Sequence, residues 1–111
     1  MITFIAQLTV RPDKAQAFEA LLTKVRDRSL ATEPGVAWYS FAKSADEPDR
    51  YVVIEVYRDA AAHAAHMAAP WVIASIPAAR ALVEGRVDIR QYTSPGGAPA
   101  TRLMQEGDDG Q

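Results

Sequence analysis

The sequence predicts an α+β domain whose strands and helices follow the order β-α-β-β-α-β. Residues 2–10 alternate with a period of two, and the apolar period changes to 3.6 after residue 14. Both patterns then return later in the chain. This order is that of the split β-α-β, or ferredoxin-like, arrangement, which places two helices on a four-stranded antiparallel sheet. The 111 residues fit one such domain.

Turn-forming and capping residues mark the ends of the predicted elements. These elements are strand 2–10, helix 14–31, strands 36–43 and 50–58, a helical run over about 60–84, and strand 86–93. The first helix stops at residues 33–35, which read Glu-Pro-Gly. Asp59 is a good N-cap for the helical run. We expect Pro70 and Pro77 to break that run, each at the first position of a new segment, and Gly85 to end it.

Two segments depart from the ordinary globular pattern. Residues 94–111 hold four of the six glycines, so we expect a flexible tail after a domain that spans residues 1–93. Residues 60–79 carry no formal charge and have the length of a membrane span, but half of them are alanine. We interpret them as a helix in water, and a cytoplasmic location follows by default.

The composition excludes several classes of function. The chain has no cysteine, which excludes a disulfide scaffold, a thiolate metal site, an iron–sulfur cluster and a cysteine nucleophile. Twelve basic and 14 acidic side chains give a formal net charge of −2, without the basic surface that nucleic-acid binding needs. No glycine-rich phosphate loop follows a strand. We therefore expect no nucleic-acid partner, no membrane and no bound cofactor.

Both faces of the two middle strands are apolar. One face of the third strand carries Tyr51, Val53, Glu55 and Tyr57, and the other carries Val52, Ile54 and Val56. One face of the second strand carries Val36, Trp38, Ser40 and Ala42, and the other carries Ala37, Tyr39 and Phe41. Two helices cover one face of a sheet, and a soluble chain rarely leaves a second apolar face bare. We expect a symmetric homodimer to cover that face, with Val53 in the interface. The alternative is coverage by the tail or by the broken helix.

The two histidines are the first candidates for chemistry. His63 and His66 stand three residues apart on the predicted helix, which is a spacing of metal ligands, but no free acidic residue lies within a turn on that face. We therefore expect no metal site. A histidine in an aromatic cavity titrates near neutrality and accepts a proton from a phenol or quinol. The resulting phenolate is electron-rich enough to react with O2 without a cofactor.

Aromatic side chains are the candidate walls of such a cavity, because they stack on planar substrates. They are Trp38, Tyr39, Tyr51, Tyr57 and Trp71, and for each the alternative is packing in the core or the dimer. Glu55 lies in the middle of a strand among apolar neighbours, where an unpaired carboxylate is costly. We expect it to orient His66, to pair with Arg86 or Arg90, or to cross the dimer interface.

Several short motifs, in their order and spacing, resemble the antibiotic biosynthesis monooxygenase (ABM) family of the dimeric α+β barrel superfamily. They are residues 10–14, residues 33–35 followed by Tyr39, residues 53–59, Ala65 with His66, Pro70, Gly85 and residues 87–92. The resemblance covers about residues 2–93. It implies a dimeric α/β barrel with a cavity in each subunit between sheet and broken helix. It also implies that His66 lies in the cavity and His63 nearer to solvent.

The resemblance implies a cofactor-independent monooxygenase that uses O2 as co-substrate. His66 would be the base, and the substrate a small aromatic, quinol or polyketide-like molecule. Haem-degrading members need a histidine near Ile76, an asparagine near Ala6 and a tryptophan near His66, and this chain has none of them. The alternative is a non-catalytic dimeric module that binds a small apolar ligand or serves regulation. Trp71 favours that alternative, because it would fill the cavity where family members often carry histidine. An isomerase is a third choice.

Overall fold

The computed structural model describes residues 1–96 of the chain. Its elements are β1 (Ile2–Val10), α1 (Ala15–Thr32), β2 (Val36–Lys43), β3 (Arg50–Tyr57), α2 (Ala60–Ala68), α3 (Pro70–Leu82) and β4 (Val83–Thr93). The predicted α+β, ferredoxin-like order is confirmed. The segment expected to be a flexible tail lies outside the described residues from position 97 onward. In the described part, no helix is both long enough and apolar enough to span a membrane.

The four strands form one antiparallel sheet in the order β2-β3-β1-β4. The first strand of the chain is therefore central, and it pairs with both β3 and β4. All three helices cover the same face. Their buried side chains, among them Phe18, Leu22 and Val72, meet Leu8 and Val53 of the sheet in one apolar core. This layering leaves one sheet face without a helix.

The first helix matches its prediction closely. Its buried positions are Phe18, Leu22, Val25 and Ser29, spaced by three or four residues so that they form one stripe. The helix ends at Thr32, and the backbone N–H of Glu33 bonds the carbonyl of Ser29. Pro34 follows directly and prevents the helix from continuing.

The second helical region is broken once, at Pro70. Asp59 caps α2 by accepting a hydrogen bond from the N–H of Ala62 at 2.8 Å, and Pro70 opens α3, as predicted. The expected break at Pro77 is wrong, because that residue lies inside α3. Pro77 lies on the exposed side of α3. Water can therefore hydrogen-bond the backbone carbonyl four residues earlier, which receives no N–H from the proline. Gly85 does not end the helix either: α3 stops at Leu82 and Gly85 lies within β4.

The alternating sequence patterns did not predict two shifts in strand register. Gly85 has a φ of +72° and lies where the β1–β4 register shifts, a conformation that favours glycine. In β2 the register shifts between Val36 and Trp38, as at a β-bulge. The shift turns Val36 toward the helices with Tyr39, whereas strict alternation had predicted that it shares a face with Trp38.

The face without helices is the one that carries Val52, Ile54 and Val56, each of them partly exposed in the single chain. The helices cover the other face, where Val53 is only 5% exposed. The expectation that Val53 lies in a dimer interface is therefore wrong. Coverage of the free face by the broken helix is wrong as well, because α2 and α3 pack on the side of Val53.

Candidate active site

A cavity of about 730 Å³ lies between the sheet and the helices. This volume is in the range of sites that enclose small organic ligands. Most of its walls are apolar; they include Phe4, Leu8, Phe18, Leu22, Val53, Met67, Val72 and Ile76. Six residues add polar side chains to this apolar lining, namely Tyr39, Glu55, His63, His66, Ser75 and Arg80. The cavity therefore suits an apolar ring system that carries a few polar groups.

His66 is the most deeply buried of these polar residues, with 2% of its surface exposed. It lies near the end of α2, and its Nδ1 is 3.1 Å and 3.3 Å from the two carboxylate oxygens of Glu33. Gly35 allows this approach, since a Cβ at that position would lie 2.5 Å from the Cβ of Ala62. A side chain there would push α2 away from the turn that holds Glu33.

The contact with Glu33 determines how the imidazole of His66 is protonated. An ionised carboxylate only accepts hydrogen bonds, so Nδ1 carries the proton and donates it. In the neutral ring, Nε2 is then the acceptor. Nε2 lies 3.8 Å from Oε1 of Glu55, too far for a hydrogen bond. The site thus holds a buried base whose free nitrogen lies beside a second carboxylate.

Glu55 and Tyr57 form a second pair next to this base. They are two residues apart on β3 and share a face, and the Tyr57 hydroxyl donates a hydrogen bond to Oε1 of Glu55. Burial, together with the charge of Glu55, raises the pKa of Tyr57 above its ordinary value. Burial first, then Glu55 and Glu33, also raise the pKa of Tyr39. Both phenols are therefore neutral hydrogen-bond donors at physiological pH.

The expected roles of Glu55 are corrected in part. Glu33, and not Glu55, makes the direct hydrogen bond that orients His66. Arg90 pairs with Asp88 at 3.4 Å, and no arginine in residues 1–96 forms an ion pair with Glu55. Glu55 instead lines the cavity beside His66.

Of the predicted wall residues, Tyr39 lines the cavity and the other aromatics do not. Tyr57 is fully buried behind Glu55. Trp38 lies on the face without helices, 46% exposed, with its Nε1 2.9 Å from Ser40 Oγ. Tyr51 packs on Phe18 of α1 and donates its hydroxyl proton to Glu19.

Trp71 packs against α1 near its C-terminal end and is not among the residues that line the cavity. Its Nε1 donates to Ser29 Oγ at 3.3 Å, and the Arg28 guanidinium lies 4.6 Å from its ring centroid. The expectation that Trp71 fills the cavity is therefore wrong. Its position follows from the break at Pro70, which starts a new helix and turns the next side chain toward α1.

Sequence reasoning missed one residue of the site, Glu33, and expected another, His63, to lie nearer to solvent. Glu33 reads as part of a helix stop, and only the close packing of α2 on Gly35 brings it to His66. His63 is indeed more exposed than His66, but it also lines the cavity, with its ring stacked on Phe4 at 4.2 Å. Within residues 1–96, no group of three or more His, Cys, Asp or Glu residues is arranged to hold a metal ion.

Comparison with known proteins agrees with this architecture. The profile of the family described as antibiotic biosynthesis monooxygenase, ABM, matches residues 1–77. No curated protein sequence matches the chain. A structure from Caulobacter crescentus CB15 that carries the same family name has 27% identity and a TM-score of 0.81, over 86% of this chain and 90% of that one.

Two further solved structures are similar over most of their length. Rv0793 from Mycobacterium tuberculosis is 26% identical, with a TM-score of 0.78 over 88% of this chain and 98% of that one. SnoaB from Streptomyces nogalater, a cofactor-independent oxygenase, is 25% identical, with a TM-score of 0.74 over 89% and 97%. The profile match covers more than half of the chain, and the fold agrees with it. The chain is a member of the antibiotic biosynthesis monooxygenase family.

Proposed function

We propose that this protein is a cofactor-independent monooxygenase that acts with O2 on a small hydroxylated aromatic, a quinol or a polyketide-like ring. One observation carries the proposal. His66 is buried at an apolar cavity, and Glu33 holds its Nδ1 so that Nε2 is free to accept a proton. Membership of the ABM family supports the reaction class, and the likeness to SnoaB supports chemistry without a cofactor.

The proposed reaction needs only a base, a dry cavity and oxygen. His66 Nε2 takes the proton of a substrate hydroxyl, and the phenolate then donates electrons to O2. The substrate C–OH becomes C=O, and a ring C–H becomes a second C=O with one oxygen atom of O2. The hydroxyl hydrogen and the ring hydrogen leave with the other oxygen atom as water. The substrate loses four electrons and O2 gains four, so the reaction balances without an external reductant.

The other polar residues have supporting roles in this proposal. Tyr39 remains a neutral phenol, and so it can donate a hydrogen bond to the oxyanion that develops on the substrate. A ring bound against the apolar walls displaces water from them, which strengthens these polar interactions. Glu33 is a positioning residue, because it acts on the substrate only through His66.

Oxygen uptake by the purified, chelator-treated protein tests the proposal. A panel of quinols and hydroxylated polycyclic aromatics is offered to the wild type and to His66→Ala. We expect uptake with at least one substrate and a loss of roughly 10²–10⁴ in rate for the variant. Glu19→Gln is the matched control, since Glu19 also accepts a hydrogen bond from a buried tyrosine but lies outside the cavity lining. Unchanged uptake by His66→Ala would contradict the assignment.

The structure removes the observation that favoured the alternative function, a non-catalytic module that binds a small apolar ligand or serves regulation. Trp71 was expected to favour that alternative by filling the cavity, and it packs on Ser29 and Arg28 instead. Tight binding of an aromatic ligand with no oxygen uptake across the whole panel would restore it.

We also propose that the protein is a homodimer joined through the sheet face without helices. Val52, Ile54 and Val56 form an apolar row along β3 on that face, next to Ile5 of β1 and Trp38 of β2. A contiguous apolar surface of this kind is typical of a protein–protein interface. The domain boundary after residue 93, where β4 ends, remains a prediction.

A further inference from the structure

Two hydrogen-bond acceptors lie side by side at the polar part of the cavity. They are Oε1 of Glu55 and Nε2 of His66, 3.8 Å apart. Nε2 is an acceptor because Nδ1 donates to Glu33, and an ionised carboxylate has no proton to give. The gap is longer than a hydrogen bond, so neither atom satisfies the other.

We infer that this pair recognises a vicinal dihydroxyarene, in which two hydroxyl groups stand on adjacent ring carbons. A single hydroxyl donates to one acceptor only, whereas two adjacent hydroxyls can donate to Glu55 and His66 together. A para quinol places its hydroxyls at opposite ends of the ring, so only one of them reaches the pair. This inference rests on the proposed function only in taking the cavity as the substrate site.

Charge favours a neutral donor over an anion at this position. Glu33 and Glu55 flank the imidazole on its two nitrogens, so a carboxylate or a preformed phenolate would meet two negative charges. The Tyr57 hydroxyl donates to the same Oε1 of Glu55 and holds that carboxylate in place. The substrate therefore enters with its hydroxyl protons, and His66 is the group that removes one.

The remaining walls suit the ring of such a ligand. Phe4 and His63 form a stacked pair at 4.2 Å beside the polar cluster, and Val53 and Val72 add aliphatic surface. Aromatic and aliphatic walls accept a planar ring.

Catechol, resorcinol and hydroquinone test the inference, because they differ only in the spacing of their two hydroxyls. Their dissociation constants are measured by calorimetry under anaerobic conditions, which prevent turnover and oxidation. We expect catechol to bind roughly tenfold more tightly than either isomer, the effect of one additional hydrogen bond to a charged acceptor. Glu55→Leu, which removes the acceptor, should remove most of this preference, and Glu19→Gln should retain it.

Equal affinities for the three isomers in the wild type would overturn the inference, and so would a catechol preference that survives in Glu55→Leu. The proposed function fails separately. Selective catechol binding without oxygen uptake from any substrate would reject the monooxygenase and leave the recognition of adjacent hydroxyls standing. Oxygen uptake without isomer preference would reject the recognition alone.

Discussion

Glu33→Gln isolates the contribution of a single charge to the proposed base. The substitution keeps the size of the side chain but replaces a carboxylate that lies 3.1 Å and 3.3 Å from Nδ1 of His66. Both side chains are well shielded, with 13% of Glu33 and 3% of His66 exposed. A hydrogen bond to a charged group contributes about 1.5–3 kcal/mol and a neutral one about 1 kcal/mol. The loss is therefore about 0.5–2 kcal/mol.

The expected kinetic effect follows from this free energy. If the charge stabilises the imidazolium that forms during proton transfer, about 0.5–2 kcal/mol corresponds to a fall in kcat of about 2- to 30-fold. KM should change little, because Glu33 lies behind His66 and is not among the residues that line the cavity. The assay is steady-state oxygen uptake with the best substrate of the panel. Glu33→Asp, which restores the charge on a shorter side chain, should recover part of kcat.

A purely structural role for Glu33 gives a different result. In that case Glu33→Gln would lower the melting temperature but leave kcat of the folded protein at the wild-type value. Glu33→Asp would then bring no kinetic recovery. Either result would refute the reasoning that Glu33 positions and charges the base. Glu19→Gln again serves as the control, because it disturbs a carboxylate–tyrosine pair away from His66.

Three other predictions concern assembly, pH and the C-terminal residues. Ile54→Asp places a carboxylate in the middle of the helix-free face and should convert the dimer to a monomer in sedimentation experiments. Ala74→Asp, on the exposed side of α3, should leave the dimer intact. A monomeric wild type at micromolar concentration would contradict the dimer. Burial, with the Glu19 hydrogen bond, raises the pKa of Tyr51 to about 12, so the unfolded chain loses this proton first, near pH 10. The free energy of unfolding should be unaffected by this group below pH 10 and fall between pH 10 and 12, and Tyr51→Phe should reduce that fall in chemical denaturation. Ending the chain after Thr93 should change the melting temperature little, because the composition of residues 94–111 offers little apolar surface. A drop of many degrees would contradict the predicted boundary.

The periodic patterns of the chain were sufficient to predict its architecture. Strand and helix periods differ strongly, and strong end signals such as Asp59 and Pro70 marked boundaries that the structure confirms. Irregular backbone was not predictable in the same way. The register shift after Val36 and the one at Gly85 break the alternation locally, and an alternating pattern carries no signal for an inserted residue.

The candidate site was only partly predictable, because a site joins residues that are distant in the chain. His66, Tyr39 and Glu55 were expected at the cavity and line it. Glu33 lies 33 positions before His66, and nothing in its local sequence distinguishes it from a helix terminus. Trp71 was predicted to lie at the site and does not. A large aromatic near a histidine suggests a cavity wall, but the turn at Pro70 directs this side chain to α1.

Incorporation of isotope-labelled oxygen tests the central claim most directly. Chelator-treated wild-type protein and His66→Ala are incubated with the best substrate under ¹⁸O₂, and the product is analysed by mass spectrometry at early times. The account predicts that the wild-type product gains one ¹⁸O atom, without added flavin or metal. It also predicts that the rate of labelling falls by roughly 10²–10⁴ in His66→Ala. Label entering the product at the same rate in both proteins, or oxygen in the product that comes from water, would contradict it.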